Sequence, residues 1–283
     1  MKSRSDKITK GIAFAGCSFT WGQGLWYYSN LPSIKEQELN SYDPNKVHFS
    51  HRKIAHKNRF ARLVADHFDT FEIVRYDNGG SLDAILHYWK DVAFSENSNR
   101  LLGSEQLPAY RSFDSSDVEY LVLQCTSWLR TDTELNVAGK KIGPIQLWDI
   151  LENHKEDLKT YLDNNGLTLD SFLKQCRAND VREYKNLLMY LEELGIKTLI
   201  MTWPEELVYN IGTDPWLSER MIRFDYAGTT YNSIERLIEN NPGMTINTDF
   251  QNFEIPPTDN HPSLLCHKVI AASIISKIEE KRK

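Results

Sequence analysis

The chain has 283 residues, with 39 acidic and 33 basic side chains, a formal net charge of −6, 41% hydrophobic residues and 11% aromatic ones. That composition can bury a substantial core and rules against disorder; the length suits one large α/β domain or two small ones. The acidic balance, with no strong basic patch, argues against nucleic acid as the main partner. No segment approaches the ~18 consecutive apolar residues of a membrane helix, and the apolar run behind Met1–Lys7 is too short for a signal-peptide core, so a soluble cytoplasmic protein with no membrane partner is expected.

The first predicted strand is Gly11–Cys17, an apolar run that enters the turn Gly16-Cys17-Ser18-Phe19-Thr20-Trp21-Gly22. Residues 23–58 are aromatic and loop-like; the locally basic part, 51–59, reads as a solvated face rather than a phosphate site. Arg59–Phe68 has a one-sided apolar stripe and predicts a helix, followed by a short strand at Glu72–Tyr76 that ends in Asp77-Asn78-Gly79-Gly80-Ser81. A helix over Ser81–Ala93 and a strand over Glu119–Cys125 come next, the strand ending in Gln124-Cys125-Thr126-Ser127-Trp128. Residues 136–168 look like a helical insertion, Leu169–Leu194 a long helix closed by Gly195, and Lys197–Thr202 a fourth strand. Residues 213–253 are mixed; a polar, proline-flanked loop, Pro256-Pro257-Thr258-Asp259-Asn260-His261-Pro262, leads into an amphipathic helix over Ser263–Glu280 with a cationic end.

Short apolar strands alternating with helices imply βαβ units and a mainly parallel central sheet in a three-layer α/β/α sandwich. One domain over 1–283, with insertions at about 23–58, 136–168 and 213–253, is the preferred organisation. Cys17, Cys125, Cys176 and Cys266 are dispersed, with no Cys-x-x-Cys spacing; they suggest neither a disulfide framework nor a zinc site, and three of them sit in apolar patterns as buried thiols. No ligand cluster calls for a metal or a cofactor. The glycines at 16, 22 and 24 lack both the Lys-Ser/Thr of a phosphate-binding loop and the dinucleotide spacing.

Open α/β sheets place their sites beyond the carboxyl ends of the strands. Ser18 stands there after the first strand, Gly79 and Gly80 after the second, Thr126 and Ser127 after the third. A serine is a poor nucleophile without a base to take its proton and donors for the oxyanion. His261 is the candidate base, and Asp259 can accept from its imidazole and fix the tautomer. Plainer roles compete at each position: Ser18 as a helix cap, Asp259 or Ser263 as the cap of the last helix, His267 as a packed or surface histidine.

These scattered blocks resemble the SGNH (GDSL-type) hydrolases, in the order that family uses, and the Gly-Cys-Ser-Phe-Thr-Trp-Gly form resembles a microbial and phage branch of it. The resemblance implies Ser18 as nucleophile, a backbone N–H of Gly79 or Gly80 in the oxyanion hole, and the pair Asp259 and His261 as acid and base. Three departures stand out. Cys17 replaces the usual Asp and is itself a rival nucleophile. Thr126-Ser127 occupies the place of the family's oxyanion asparagine, leaving a Ser or Thr hydroxyl or Gln124 as the substitute donor. Asp259 lies two residues before His261 where three is usual, which leaves a Ser-His dyad open.

Two functions follow. One is a serine esterase acting on an acyl group, acetyl included, of a carbohydrate or other small ester, with Trp21, Trp26, Tyr27 and Tyr28 either stacking on sugar rings or packing as core and lid. The other is a non-catalytic glycan-binding or virion-associated module that keeps the fold.

Overall fold

The computed structural model describes residues 10–17, 20, 22, 25–28, 57–74, 81–93, 114–249 and 260–283. Its elements in chain order are β1 (Gly11–Ala15), α1 (Phe60–His67), β2 (Glu72–Val74), α2 (Leu82–His87), β3 (Val118–Cys125), β4 (Asp132–Val137), β5 (Lys140–Gln146), α3 (Leu147–Asn153), α4 (Lys155–Asn165), α5 (Leu169–Glu193), β6 (Lys197–Thr202), α6 (Val208–Thr213), α7 (Pro215–Arg220), β7 (Phe224–Tyr226), β8 (Thr229–Tyr231), α8 (Ile234–Glu239), α9 (Ile246–Asp249) and α10 (Leu264–Arg282).

Four strands form one parallel sheet in the order β2-β1-β3-β6. From β1 the chain steps outward to β2, then crosses back to β3 on the other side. The strand order therefore reverses between β1 and β3, and such a reversal opens a crevice at the carboxyl ends of those two strands. Both strands are buried on both faces, which explains their unbroken apolar sequences. Side chains alternate across the sheet. Ile12, Phe14, Tyr120 and Val122 pack with α1 and α10 through Phe60, Val64, Ile270 and Ile274. Ala13, Ala15, Leu121 and Leu123 pack with α2 and α5 through Leu82, Ile85, Leu187 and Leu188. Helices on both faces of a parallel sheet make this the expected α/β sandwich.

Several boundaries have visible causes. Gly195, at φ +83°, ends α5: its N–H bonds to the Glu192 carbonyl at 2.9 Å and the Ile196 N–H reaches the Leu191 carbonyl at 3.1 Å. Ser263 caps α10, accepting from the Cys266 N–H at 3.2 Å. One expectation needs correction. The segment 136–168 is helical only from Leu147 onward. Its first part belongs to the antiparallel hairpin β4–β5, which turns at Ala138 and Gly139, both at positive φ. Leu135, Val137 and Ile142 point inward with exposed Asn136 and Lys141 among them, a period of two in a strand too short to stand out beside two helices. The mixed stretch 213–253 contains α7, the hairpin β7–β8, α8 and α9. The first strand ends at Ala15, so Gly16 and Cys17 already belong to its exit turn.

All four cysteines are free; Cys17, Cys125 and Cys266 are buried and Cys176 half-buried. Burial pushes the Cys125 and Cys266 thiols well up, and that of Cys176 to about 11, which keeps them protonated and inert. Among the described residues no helix is long and apolar enough to cross a membrane.

Candidate active site

The exit turn of β1 is tightly held. The Thr20 N–H bonds to the Cys17 carbonyl at 2.9 Å. Gly16 is required by close approach: a Cβ there would sit 2.1 Å from Thr20 Oγ1 and 3.0 Å from Gln124 Oε1. Ser18 itself, with Gly79, Gly80 and Asp259, lies outside the described residues. Their described neighbours mark the rim. Ser81, next after Gly80, caps α2 by accepting from the Ala84 N–H at 3.2 Å.

Beyond β3 the two candidate donors differ. Thr126 is buried, and its N–H donates to Tyr184 Oη at 3.1 Å, so that backbone donor is already engaged. Ser127 is half-buried, opens the turn Trp128–Arg130, and makes no capping bond with its hydroxyl. Gln124 does not face solvent. It is fully buried, with Oε1 accepting from Thr20 Oγ1 at 2.6 Å and Nε2 donating to Cys17 Sγ at 3.4 Å.

His261 is half-buried, in a segment whose backbone is pinned on both sides. The Ile246 N–H bonds to its carbonyl at 2.9 Å, Pro262 bridges to Thr245, and the Ser263 N–H reaches the Met244 carbonyl at 2.9 Å. Ser263 Oγ also donates to the Gly243 carbonyl at 2.5 Å. The chain that follows Ser18 returns to this place. Tyr28 ends a short helical turn, Leu25–Tyr28, and its hydroxyl bonds to Asp249 and to Ser263 and the Leu264 backbone. Burial, reinforced by Asp249, pushes the Tyr28 phenol far up, so it stays a neutral hydrogen-bonded tie. The sequence carried no sign of this link, because residues 28 and 249 share no local pattern.

His267 is a packed core residue. It is fully buried in α10, stacked on Phe60 with ring centroids 5.6 Å apart, and its Nδ1 accepts the Phe60 N–H at 3.1 Å. Burial, with smaller contributions from His261 and Arg59, pushes it down to about 3, so the ring is neutral, and its Nε2 has no hydrogen-bond partner among the described residues.

A buried acid also lies at this end of the sheet. Asp180, on α5, accepts from Thr131 Oγ1 at 2.6 Å; nearby, Asp83 accepts from the Asp132 N–H at 2.8 Å. Burial first, then Asp83 and Glu183, push Asp180 up to about 7 against the Thr131 bond. Its folded value lies above its unfolded one, so the unfolded chain releases this proton first as pH rises. Stability therefore falls between about pH 4 and 7, and ~3 units correspond to an effect on the order of 4 kcal/mol. Asp180→Asn keeps the Thr131 bond and removes the charge. The variant is expected to match the wild type near pH 4.5 and to be more stable by a few kcal/mol at pH 8 in urea unfolding; an equal difference at both pH values would refute this assignment.

A cavity of about 360 Å³ lined by Tyr120, Lys197, Thr198, Arg220 and Lys281 lies at the opposite, amino end of β3 and β6. Its cations are paired with Glu119, Glu192 and Glu219, and it has no part in the crevice between β1 and β3. Among the described residues no His, Cys, Asp and Glu grouping could hold a metal ion.

No protein-family model and no curated protein matches the chain. A solved structure described as a carbohydrate esterase, whose active site displays divergent catalytic and non-catalytic binding functions, aligns with 96% of this chain at 13% identity and a TM-score of 0.37. The chain spans 65% of that protein's length. A likeness of this degree carries no argument about activity.

Proposed function

We propose that the chain is a serine ester hydrolase of the SGNH type, acting on an acyl ester of a carbohydrate or small molecule. The observation that carries this reading is the Tyr28 tie: the chain leaving the Ser18 turn is fastened to Asp249, Ser263 and Leu264, beside the pinned His261. A nucleophile at the switch point and a base fixed by its backbone are the two parts that acyl transfer needs first. In this reading Ser18 attacks the ester carbonyl, and His261 takes the hydroxyl proton and returns it to the leaving alcohol. Asp259 orients the imidazole and stabilises it as imidazolium. Backbone N–H groups at Ser18 and at Gly79 or Gly80 hold the oxyanion, with the Ser127 hydroxyl as the third donor. Water then attacks the acyl-enzyme, with His261 again as base, and releases the acid.

A second reading has its own observation. No asparagine follows β3, and the Thr126 N–H is engaged by Tyr184. A site with a weakened oxyanion hole would bind an ester or glycan without turning it over. A fluorophosphonate probe separates the two. It is expected to phosphonylate Ser18, located by peptide mapping, and the same protein is expected to hydrolyse p-nitrophenyl acetate. Absence of both labelling and turnover would leave the binding module as the function.

A further inference from the structure

We infer that Gln124 is the positioning residue of the Ser18 turn, an inference that rests on reading Ser18 as the nucleophile. Gln124 lies one residue beyond the last paired position of β3 against β1, Leu123 opposite Ala15. From there its carboxamide reaches both flanks of the turn. Thr20, two residues after Ser18, is held at 2.6 Å, and Cys17, immediately before it, at 3.4 Å. The turn adds its own closure, Thr20 N–H to the Cys17 carbonyl at 2.9 Å. Gly16 lets Thr20 and Gln124 come this close.

The chemistry of the three groups suits a clamp. A hydroxyl and a thiol each donate and accept, so the carboxamide satisfies both in either orientation of its oxygen and nitrogen. Gln124, Thr20 and Cys17 are all buried, at 0, 1 and 2% exposure, so water does not compete for these bonds. No member is charged, and both polar atoms of the carboxamide are engaged by the turn. Gln124 therefore acts through Ser18 and not on the ester. A nucleophile displaced by an ångström loses up to about a hundredfold in rate while the substrate still binds.

The test uses the full chain and the variants Gln124→Met, Thr20→Val and Thr20→Ser. Iodoacetamide alkylation, mapped by mass spectrometry, compares Cys17 with Cys125. Cys125 follows Gln124 directly and is fully buried, so it reports general opening of β3. Alkylation of Cys17 is expected to rise at least tenfold in Gln124→Met and Thr20→Val and to return to the wild-type rate in Thr20→Ser, with Cys125 protected throughout. In hydrolysis of p-nitrophenyl acetate, kcat is expected to fall ten- to a hundredfold in the first two variants, with KM within twofold and recovery in Thr20→Ser. Unchanged Cys17 protection in both Gln124→Met and Thr20→Val overturns the clamp. So does a rise in Cys17 and Cys125 together, which marks loss of the strand. If the wild type shows neither turnover nor labelling of Ser18, the hydrolase reading fails, while the Cys17 comparison still decides whether Gln124 holds the turn.

Discussion

His261→Ala is expected to lower ester hydrolysis by about 10²- to 10⁴-fold, the usual contribution of a positioned general base, while leaving the protein folded. The fold should survive because three backbone contacts hold this segment: the Ile246 N–H on the His261 carbonyl, the Thr245–Pro262 bridge and the Ser263 N–H on the Met244 carbonyl. Alanine preserves each of these. Ser18→Ala is expected to cost as much, and the double variant no more than either single one, since the two residues act as a unit. His267→Ala supplies the contrast six residues away. That imidazole is buried against Phe60 and accepts its N–H, so its removal should lower the melting temperature more than it lowers kcat. A loss below tenfold in His261→Ala, measured on p-nitrophenyl acetate, would sink His261 as the base. Turnover that survives Ser18→Ala would transfer the role to Cys17, whose thiol is buried against Gln124 and poorly placed to attack an ester.

The sheet was legible because its strands are buried on both faces and therefore read as short continuous apolar runs. Lys197–Thr202 was expected and found residue for residue. Gly195 and Ser263 were legible for local reasons, a left-handed C-terminal residue and an N-cap. The hairpin β4–β5 was not, since one face of it is solvated and its apolar signal is halved. Within the site, residue type revealed chemistry but not direction. Gln124 reads as a polar group at a strand end and so as a donor to substrate; only the strand's register shows it turned toward Cys17 and Thr20. Tyr28 reads as a stacking, core or lid aromatic, because its partner lies far away in sequence, at 249. Asp180 did leave a trace. It falls on the stripe formed by Tyr184, Leu187, Leu188 and Leu191, where a solvated acid has no place.

Glu72→Leu is expected to destabilise the protein by about 3–5 kcal/mol, the usual consequence of stranding one member of a buried ion pair. The Arg59 guanidinium grips the Glu72 carboxylate with two nitrogens, Nη2 to Oε1 at 2.6 Å and Nε to Oε2 at 3.2 Å, and the two side chains are 3% and 2% exposed. Arg59 stands immediately before α1 and Glu72 opens β2, the outer strand of the sheet, so the pair fastens that helix to the sheet edge. With Glu72 gone, Arg59 keeps its charge in an apolar setting, since a guanidinium cannot shed its proton there. The double variant Arg59→Met with Glu72→Leu removes both charges and fills a similar volume; it is expected to recover most of the loss or to exceed the wild type. Urea unfolding at constant m-value measures all three, and the single variant Arg59→Met completes the cycle. A single-variant cost below about 1 kcal/mol would mean that water reaches the pair, as it does at exposed ion pairs. A double variant as unstable as Glu72→Leu alone would mean that the guanidinium stem supports α1 by packing and not through its charge, because only a packing loss survives removal of the stranded cation.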